Sequence, residues 1–192
     1  MLDPSKIAVE DEENGYIIHD TLHQIPGTGI YVTSLQGLTK NFDEINQLGR
    51  FKQIINVSNR RQVKSQFNAS IEQVWLPFND EDQAASQMIT IADYLLSYLK
   101  PPVIIHCAAG ISRSISVIIY FLLKSKKVSS VEGALKLIQT VRPIANPNPA
   151  FMKKLNEVLL TPPSSLSTPS PKTVSQNHVR KSTRPCSRRL FQ

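Results

Sequence analysis

Apolar positions along this chain follow two alternating rhythms. Short, β-branched runs at Gly29–Thr33, Gln53–Val57, Gln73–Pro77 and Val103–His106 have the length and composition of strands. Between and after them, apolar residues recur at three- and four-residue intervals over Asp43–Leu48, Gln83–Leu99, Arg113–Ser125, Ser130–Val141 and Pro149–Leu159, the spacing of amphipathic helices. Ser129-Ser130-Val131-Glu132 reads as a capping box, with Ser129 as the cap and Glu132 three positions on. Gly15–His19 reads as an additional edge strand. The alternation predicts an α/β fold, a central and mostly parallel sheet flanked by helices on both faces, with a loop between the Val103–His106 strand and the following helix. No internal repeat is visible.

Composition sharpens the boundaries. The 192 residues include 22 Lys and Arg against 15 Asp and Glu, a net charge of +7, and 41% are hydrophobic. The excess is not spread evenly. Residues 1–160 hold sixteen basic and fifteen acidic side chains, a net +1, whereas 161–192 hold six basic residues and no acid. That last segment also carries five prolines and eleven Ser or Thr and few apolar residues, so it cannot offset the entropy of ordering and is expected to be disordered. Residues 1–13, net −4, are expected to be a mobile acidic segment, which leaves 14–160 as the folded unit. A nearly neutral domain argues against nucleic acid as its partner. No run reaches the ~20 apolar residues of a membrane span, and Met1-Leu2-Asp3-Pro4 does not open a signal peptide. Cys107 and Cys186 are the only cysteines, too few for a disulfide framework or a cysteine-based zinc site. An intracellular, reducing setting, cytoplasmic or nuclear, is the expectation.

The chemistry concentrates in Pro101-Pro102-Val103-Ile104-Ile105-His106-Cys107-Ala108-Ala109-Gly110-Ile111-Ser112-Arg113-Ser114. A double proline stops one helix, a β-branched run makes a buried strand, and a loop of small residues leads into an apolar helix. Ligands of open α/β sheets bind at the carboxyl ends of strands. There the backbone N–H groups of Ala108, Ala109, Gly110, Ile111 and Ser112 can curl around an anion at the positive end of a helix. Arg113 can add a bidentate grip on phosphate oxygens. The same environment favours Cys107 as a thiolate, the form that attacks phosphorus. A buried structural cysteine is the plainer reading of a lone Cys, but it leaves the glycine, arginine and helix start unexplained.

His106-Cys107-Ala108-Ala109-Gly110-Ile111-Ser112-Arg113-Ser114 resembles the HCxxGxSRS form of the CX5R signature of protein tyrosine phosphatases, and within them it is most similar to the small, atypical dual-specificity phosphatases. Gly29-Ile30-Tyr31-Val32-Thr33-Ser34 resembles the family's opening strand, with Thr33 where Gly is usual, Ile54-Ile55-Asn56-Val57-Ser58 its next strand, and Arg142-Pro143 through Asn148 and Phe151 the entry to its closing helix. The resemblance implies a general acid at Asp80, because Leu76-Pro77-Phe78-Asn79-Asp80 looks like the family's Ile-Pro-Leu-Glu-Asp segment. Asp80 lies 27 positions before Cys107, closer than is usual; Asp82 is the alternative and Glu81 a third carboxylate nearby. It also implies that Ser114 assists departure of the thiolate and that His106 organises the loop through a hydrogen bond.

The activity so implied is hydrolysis of phosphotyrosine and of phosphoserine or phosphothreonine through a phosphocysteine, with phosphoproteins as substrates and with neither cofactor nor metal. His19 and His23 share helical spacing but lack any supporting ligand pattern and read as surface histidines. Two alternatives stand beside this reading: a phosphoprotein-binding pseudophosphatase and an RNA 5′-phosphatase. No segment resembles a tyrosine-recognition loop, and the kinase-binding domain of larger relatives is not expected. Arg60, Arg61 and Lys64 follow the Gln53–Val57 strand and are candidates to hold a second phosphate or acidic substrate residues. In the tail, Thr161-Pro162, Thr168-Pro169 and Ser170-Pro171 match proline-directed kinase sites. Arg188-Arg189-Leu190-Phe191 is similar to a cyclin-docking motif. Both are short patterns that arise readily by chance.

Overall fold

The computed structural model describes residues 9–11, 16–18, 21–61 and 67–160, all within one unit, Met1–Pro162. Strands β1 (Val9–Asp11) and β2 (Tyr16–Ile18) pair antiparallel with each other. Then come β3 (His23–Gln24), β4 (Ile30–Ser34), helices α1 (Leu35–Lys40) and α2 (Phe42–Leu48), β5 (Gln53–Asn56) and β6 (Glu72–Trp75). A 3₁₀ turn at Asp82–Ala84 opens into α3 (Ala85–Tyr98), followed by β7 (Val103–Cys107), α4 (Arg113–Lys124), α5 (Val131–Gln139) and α6 (Pro149–Leu160).

Five strands form one sheet in the order β3-β4-β7-β5-β6. Only β3 runs antiparallel to its neighbour; the β4–β7, β7–β5 and β5–β6 pairs are parallel. The predicted α/β class is therefore the observed one. The central strand β7 is buried along its whole length, as a β-branched strand covered on both faces must be. Alternation along the strands sorts the side chains. Val32, Ile55, Val103 and Ile105 face one layer, where Ile115, Ile118, Val131, Ile138 and Phe151 from α4, α5 and α6 pack. Tyr31, Ile54 and Ile104 face the other layer, against Leu38 of α1 and Ile45 of α2. In register, Ile105 sits opposite Val32 on one side and Ile55 on the other.

Among the buried polar side chains of this sheet, Gln53 ties its edge to the neighbouring helix. The Gln53 side chain donates to Glu72 Oε2 at 3.0 Å and to Tyr98 O at 3.2 Å, and accepts from Lys100 N at 2.7 Å. The Tyr98 hydroxyl also donates to Glu72. These donors, with Lys100, hold the Glu72 carboxyl down at about 2, tying the edge strand to the end of α3.

Several expectations are corrected. Tyr16–Ile18 is a strand, but it pairs with Val9–Asp11 rather than extending the main sheet, so part of the segment expected to be mobile has backbone partners. The cap of α5 is Ser130, whose Oγ accepts from Gly133 N at 3.0 Å, and not Ser129; two adjacent serines left the choice to tertiary packing. Helix α1 escaped the pattern because Gly37 and Thr39 blur its short apolar face; a cap from Ser34 Oγ to Gly37 N at 2.8 Å starts it. His23 is in a strand, half-buried, and not a surface residue on a helix. His19, Lys64, Cys186 and residues 161–192 lie outside the described residues. Among those described, no helix is long and apolar enough to cross a membrane.

Ile105 sits at the centre of the main core. Ile105→Ala is expected to lower unfolding stability by about 2–5 kcal/mol, read as a drop in the urea midpoint with an unchanged slope.

Candidate active site

The carboxyl end of β7 delivers Cys107 to a turn of small residues before α4. Cys107 is only 2% exposed, and its sulfur receives two donors: Gly110 N at 3.2 Å and Ser114 Oγ at 3.4 Å. Each carbonyl of the turn is taken by a partner outside its concave side. Ala108 O accepts from Leu35 N at 3.0 Å, Ala109 O from Arg142 Nη2 at 3.1 Å, Gly110 O from Arg142 Nε at 2.7 Å, and Ile111 O from Asn146 N at 3.0 Å. Ser112 O accepts from both the backbone and the hydroxyl of Ser116. A trans peptide points its N–H away from its C=O, so carbonyls drawn outward turn the amides of Ala109, Gly110, Ile111 and Ser112 toward the sulfur. That makes an anion cradle at the start of a helix.

Gly110 is required by this turn on two counts. Its φ is +67°, a region where side chains are disfavoured. A Cβ there would also lie 2.6 Å from Thr33 O and from Arg142 Nη2.

Arg142 is the residue that sequence reading passed over. It is fully buried, and besides the two loop carbonyls it reaches Thr21 O at 3.5 Å and His23 Nδ1 at 3.2 Å. Only its place in the Arg-Pro pair hinted at a role. It fixes the shape of the loop from behind.

The segment with Phe78 and Asp80 bounds the site from the other side. Asp80 Oδ1 accepts from Ser112 Oγ at 2.6 Å, and Ser112 Oγ in turn accepts from Asn148 N at 3.0 Å. Asp80 Oδ2 is 3.7 Å from Arg113 Nε, and Arg113 Nη1 donates to Phe78 O at 3.2 Å. Arg113 Nε has no hydrogen-bond partner among the described residues. A cleft of about 470 Å³ is lined by Asp80, Cys107, Ala109, Ile111 and Ser112, with the Asn146–Pro149 segment as its far wall. Asp82 is exposed at the head of the 3₁₀ turn and does not line it. Glu81 accepts from Asn79 Nδ2 at 3.5 Å and is likewise outside. Of the three nearby carboxylates, the structure brings Asp80 to Cys107. Among the described residues, no three His, Cys, Asp or Glu side chains cluster to hold a metal.

His106 is fully buried behind the loop, its Nδ1 3.2 Å from Cys107 O. Burial pushes its ring down to about 4, so it is neutral near pH 7.

A buried strand ending in a cysteine, an amide-lined turn and an arginine at the following helix define a cysteine-led anion site on an α/β sheet. The chain belongs to the dual specificity phosphatase family: the model of that family's catalytic domain matches residues 30–159. Mouse dual specificity protein phosphatase 19 is 42% identical over 53 residues, covering 28% of this chain and 24% of that protein. Rat dual specificity protein phosphatase 15 is 44% identical over 54 residues, covering 28% and 22%. Human Slingshot homolog 3 is 42% identical over 53 residues, which is 28% of this chain and 8% of that protein. The matched stretches thus span about a quarter or less of these relatives. The fold is shared with human DUSP28, at a TM-score of 0.57 and 17% identity over 71% of this chain and 90% of that one. It is also shared with the Yvh1 phosphatase domain of Chaetomium thermophilum, at a TM-score of 0.57 and 23% identity over 71% and 94%.

The buried neutral His106 has a consequence for stability. An unfolded ring, with its ordinary value of 6.5, takes up a proton that the folded ring refuses until about pH 4. Its contribution is therefore lost as pH falls through that window, by about 3 kcal/mol at pH 4. His106→Gln should flatten the decline in urea midpoint between pH 7 and pH 4 relative to the parent chain; parallel profiles would refute the assignment.

Proposed function

We propose that this chain is a cysteine-dependent protein phosphatase that hydrolyses phosphotyrosine and phosphoserine or phosphothreonine. What supports this reading most is that Cys107 and Asp80 line one cleft floored by inward-turned amides, while Arg113 opens the next helix with its Nε 3.7 Å from Asp80 Oδ2. The family membership and the dual specificity named in the relatives support it as well.

In this mechanism Cys107 Sγ attacks phosphorus in line with the leaving oxygen. As the S–P bond forms, the P–O bond breaks and its electron pair goes to the tyrosyl, seryl or threonyl oxygen, which takes the proton of Asp80. Arg113 and the amides of residues 109–112 receive the equatorial oxygens, whose charge is shared in the transition state. Arg113 Nε is buried 3.7 Å from Asp80 Oδ2 and makes no hydrogen bond among the described residues, which leaves it free to take one when a phosphoryl group enters. Water then attacks the phosphocysteine, giving its proton to the Asp80 carboxylate, and the sulfur departs as thiolate. Ser114 Oγ and Gly110 N stabilise the charge returning to sulfur. Ser112, held by Asn148 N, keeps the Asp80 carboxylate at the mouth of the cleft. His106, buried and neutral, supports the loop and moves no proton.

The pseudophosphatase alternative draws no support from this site, since Cys107, Arg113 and a carboxylate at Asp80 are all present, and the RNA 5′-phosphatase alternative draws none from the nearly neutral charge of residues 1–160. An intracellular, reducing location fits a chemistry that needs a free thiol. The kinase sites and the cyclin-docking resemblance lie in residues 161–192 and carry no part of this proposal.

Cys107→Ser should bring turnover of an aryl phosphate to background. Asp80→Asn should lower kcat on phosphoserine peptides by about 10²–10⁴-fold, with a smaller loss on substrates whose leaving group needs no proton. Asp82→Asn should cost far less than Asp80→Asn, and the reverse order would assign the acid to Asp82.

A further inference from the structure

Next to the Cys107 cleft is a second hollow of about 340 Å³, lined by Asn59, Trp75, Pro77, Phe78, Asn79 and Gln87. One stretch of chain separates the two: Phe78 and Asn79 line this hollow, and Asp80, the next residue, lines the first. The 58–61 segment leaves the carboxyl end of β5, which stays bonded to the central strand as far as Val57 N to His106 O at 2.9 Å. It therefore emerges at the same sheet edge as the Cys107 turn.

This segment is tied down more tightly than a solvated charged loop would be. Asn56 Oδ1 accepts from both the backbone and the hydroxyl of Ser58 at 2.8 Å. Asn56 Nδ2 donates to Arg60 O at 2.8 Å, and the single Ser58 hydroxyl hydrogen is shared between Asn56 Oδ1 and Arg60 O, the latter at 3.0 Å. Trp75 Nε1 donates to Ser58 O at 2.8 Å, and Asn59 Nδ2 donates to Asn79 Oδ1, joining the segment to the one with Phe78 and Asp80.

Upon this frame stand two cations and one aromatic ring. The Arg61 guanidinium lies 4.7 Å from the centroid of Trp75, over its face. Stacking occupies the plane of a guanidinium but leaves its N–H edges open to an anion. The Arg60 side chain is exposed and makes no hydrogen bond or ion pair with any described residue. Trp75, at the end of the half-buried edge strand β6, is itself 38% exposed and presents a large apolar face beside the hollow it lines. Of the acids that follow Asn79, Glu81 accepts from Asn79 Nδ2 at 3.5 Å, and Asp80 is engaged by Ser112 Oγ and lies 3.7 Å from Arg113 Nε.

We propose that this hollow is a substrate subsite, beside which Arg60, next in the chain to the lining residue Asn59, and Arg61, stacked on the lining residue Trp75, hold a second anionic side chain of a phosphopeptide while its intervening residues pack on Trp75. The proposal rests on the reading of the Cys107 cleft as a phosphatase site, and it assigns that site a preference for peptides with a second phosphate or a carboxylate near the scissile phosphate.

Because Trp75 is the only tryptophan, its fluorescence reports occupancy without turnover. The full chain carrying Cys107→Ser is titrated with a short phosphotyrosyl peptide bearing a nearby phosphoserine, and with the same peptide bearing Glu or Ser there. The phosphoserine peptide should bind about tenfold tighter than the Ser peptide and shift the Trp75 emission. An advantage of the Glu peptide over the Ser peptide would show that carboxylates also serve. Arg60→Ala with Arg61→Ala should erase the difference. In the active chain the same pair of substitutions should lower the ratio of kcat/KM for the phosphoserine peptide to that for a small aryl phosphate by a similar factor. Equal affinity for the phosphoserine and Ser peptides, or equal losses on peptide and aryl phosphate, would overturn the subsite. Tighter binding of a 5′-triphosphorylated dinucleotide than of any peptide would overturn it in favour of nucleic acid. Failure of the parent chain to turn over the aryl phosphate would instead strike the phosphatase reading, while the binding titration still judges the subsite.

Discussion

Five consecutive carbonyls, from Ala108 to Ser112, are each held by a donor that draws them outward, and the site depends on that constraint. A peptide plane has one degree of freedom here. Anchoring the oxygen decides where the N–H goes. Arg142 anchors two of the five from a fully buried position, and Gly110 is the residue whose backbone permits the resulting turn. The cradle is thus preorganised by groups that never meet the anion, so the reorganisation cost falls on folding rather than on each encounter.

The fold serves this turn in a direct way. A parallel sheet places the ends of β4, β5 and β7 side by side, with Ser34 opposite Cys107 and Asn56 opposite His106. The loops after those strands consequently share one edge. The first residue of α1, directly after β4, supplies Leu35 N to the turn, the loop after β5 carries Arg60 and Arg61, and the segment after β6 brings Asp80 into the cleft that Cys107 lines. Ser112 ties the Asp80 segment to two further parts, since its hydroxyl meets both Asp80 and the amide of Asn148 and its carbonyl starts α4.

What could be read from the sequence was whatever is local. Cys107 and Arg113 are close in the chain, and the strand, turn and helix around them have short-range signatures, so their juxtaposition followed from spacing. The β-branched runs marked four strands of the main sheet to within a residue or two at each end. Asp80 was reachable only through resemblance, because nothing in the acidic run from Asp80 to Asp82 says which carboxylate folds back. The structure distinguishes them by Ser112 Oγ, 32 positions away. Arg142 was legible least of all. A single basic residue after an amphipathic helix normally reads as solvated, and its role arises from contacts with Thr21, His23, Ala109 and Gly110 that no local pattern encodes.

The central claim is that this cradle exists to carry a phosphoryl group on Cys107. Rapid acid quenching of the full chain during turnover of a ³²P-labelled phosphotyrosyl peptide, followed by digestion and mass spectrometry, tests it most directly. The account predicts a phosphoryl group on the Cys107 sulfur that accumulates in Asp80→Asn and decays to inorganic phosphate. Turnover at the parent rate with the label on Ser112 or Ser114, or with no covalent label at all, would contradict it.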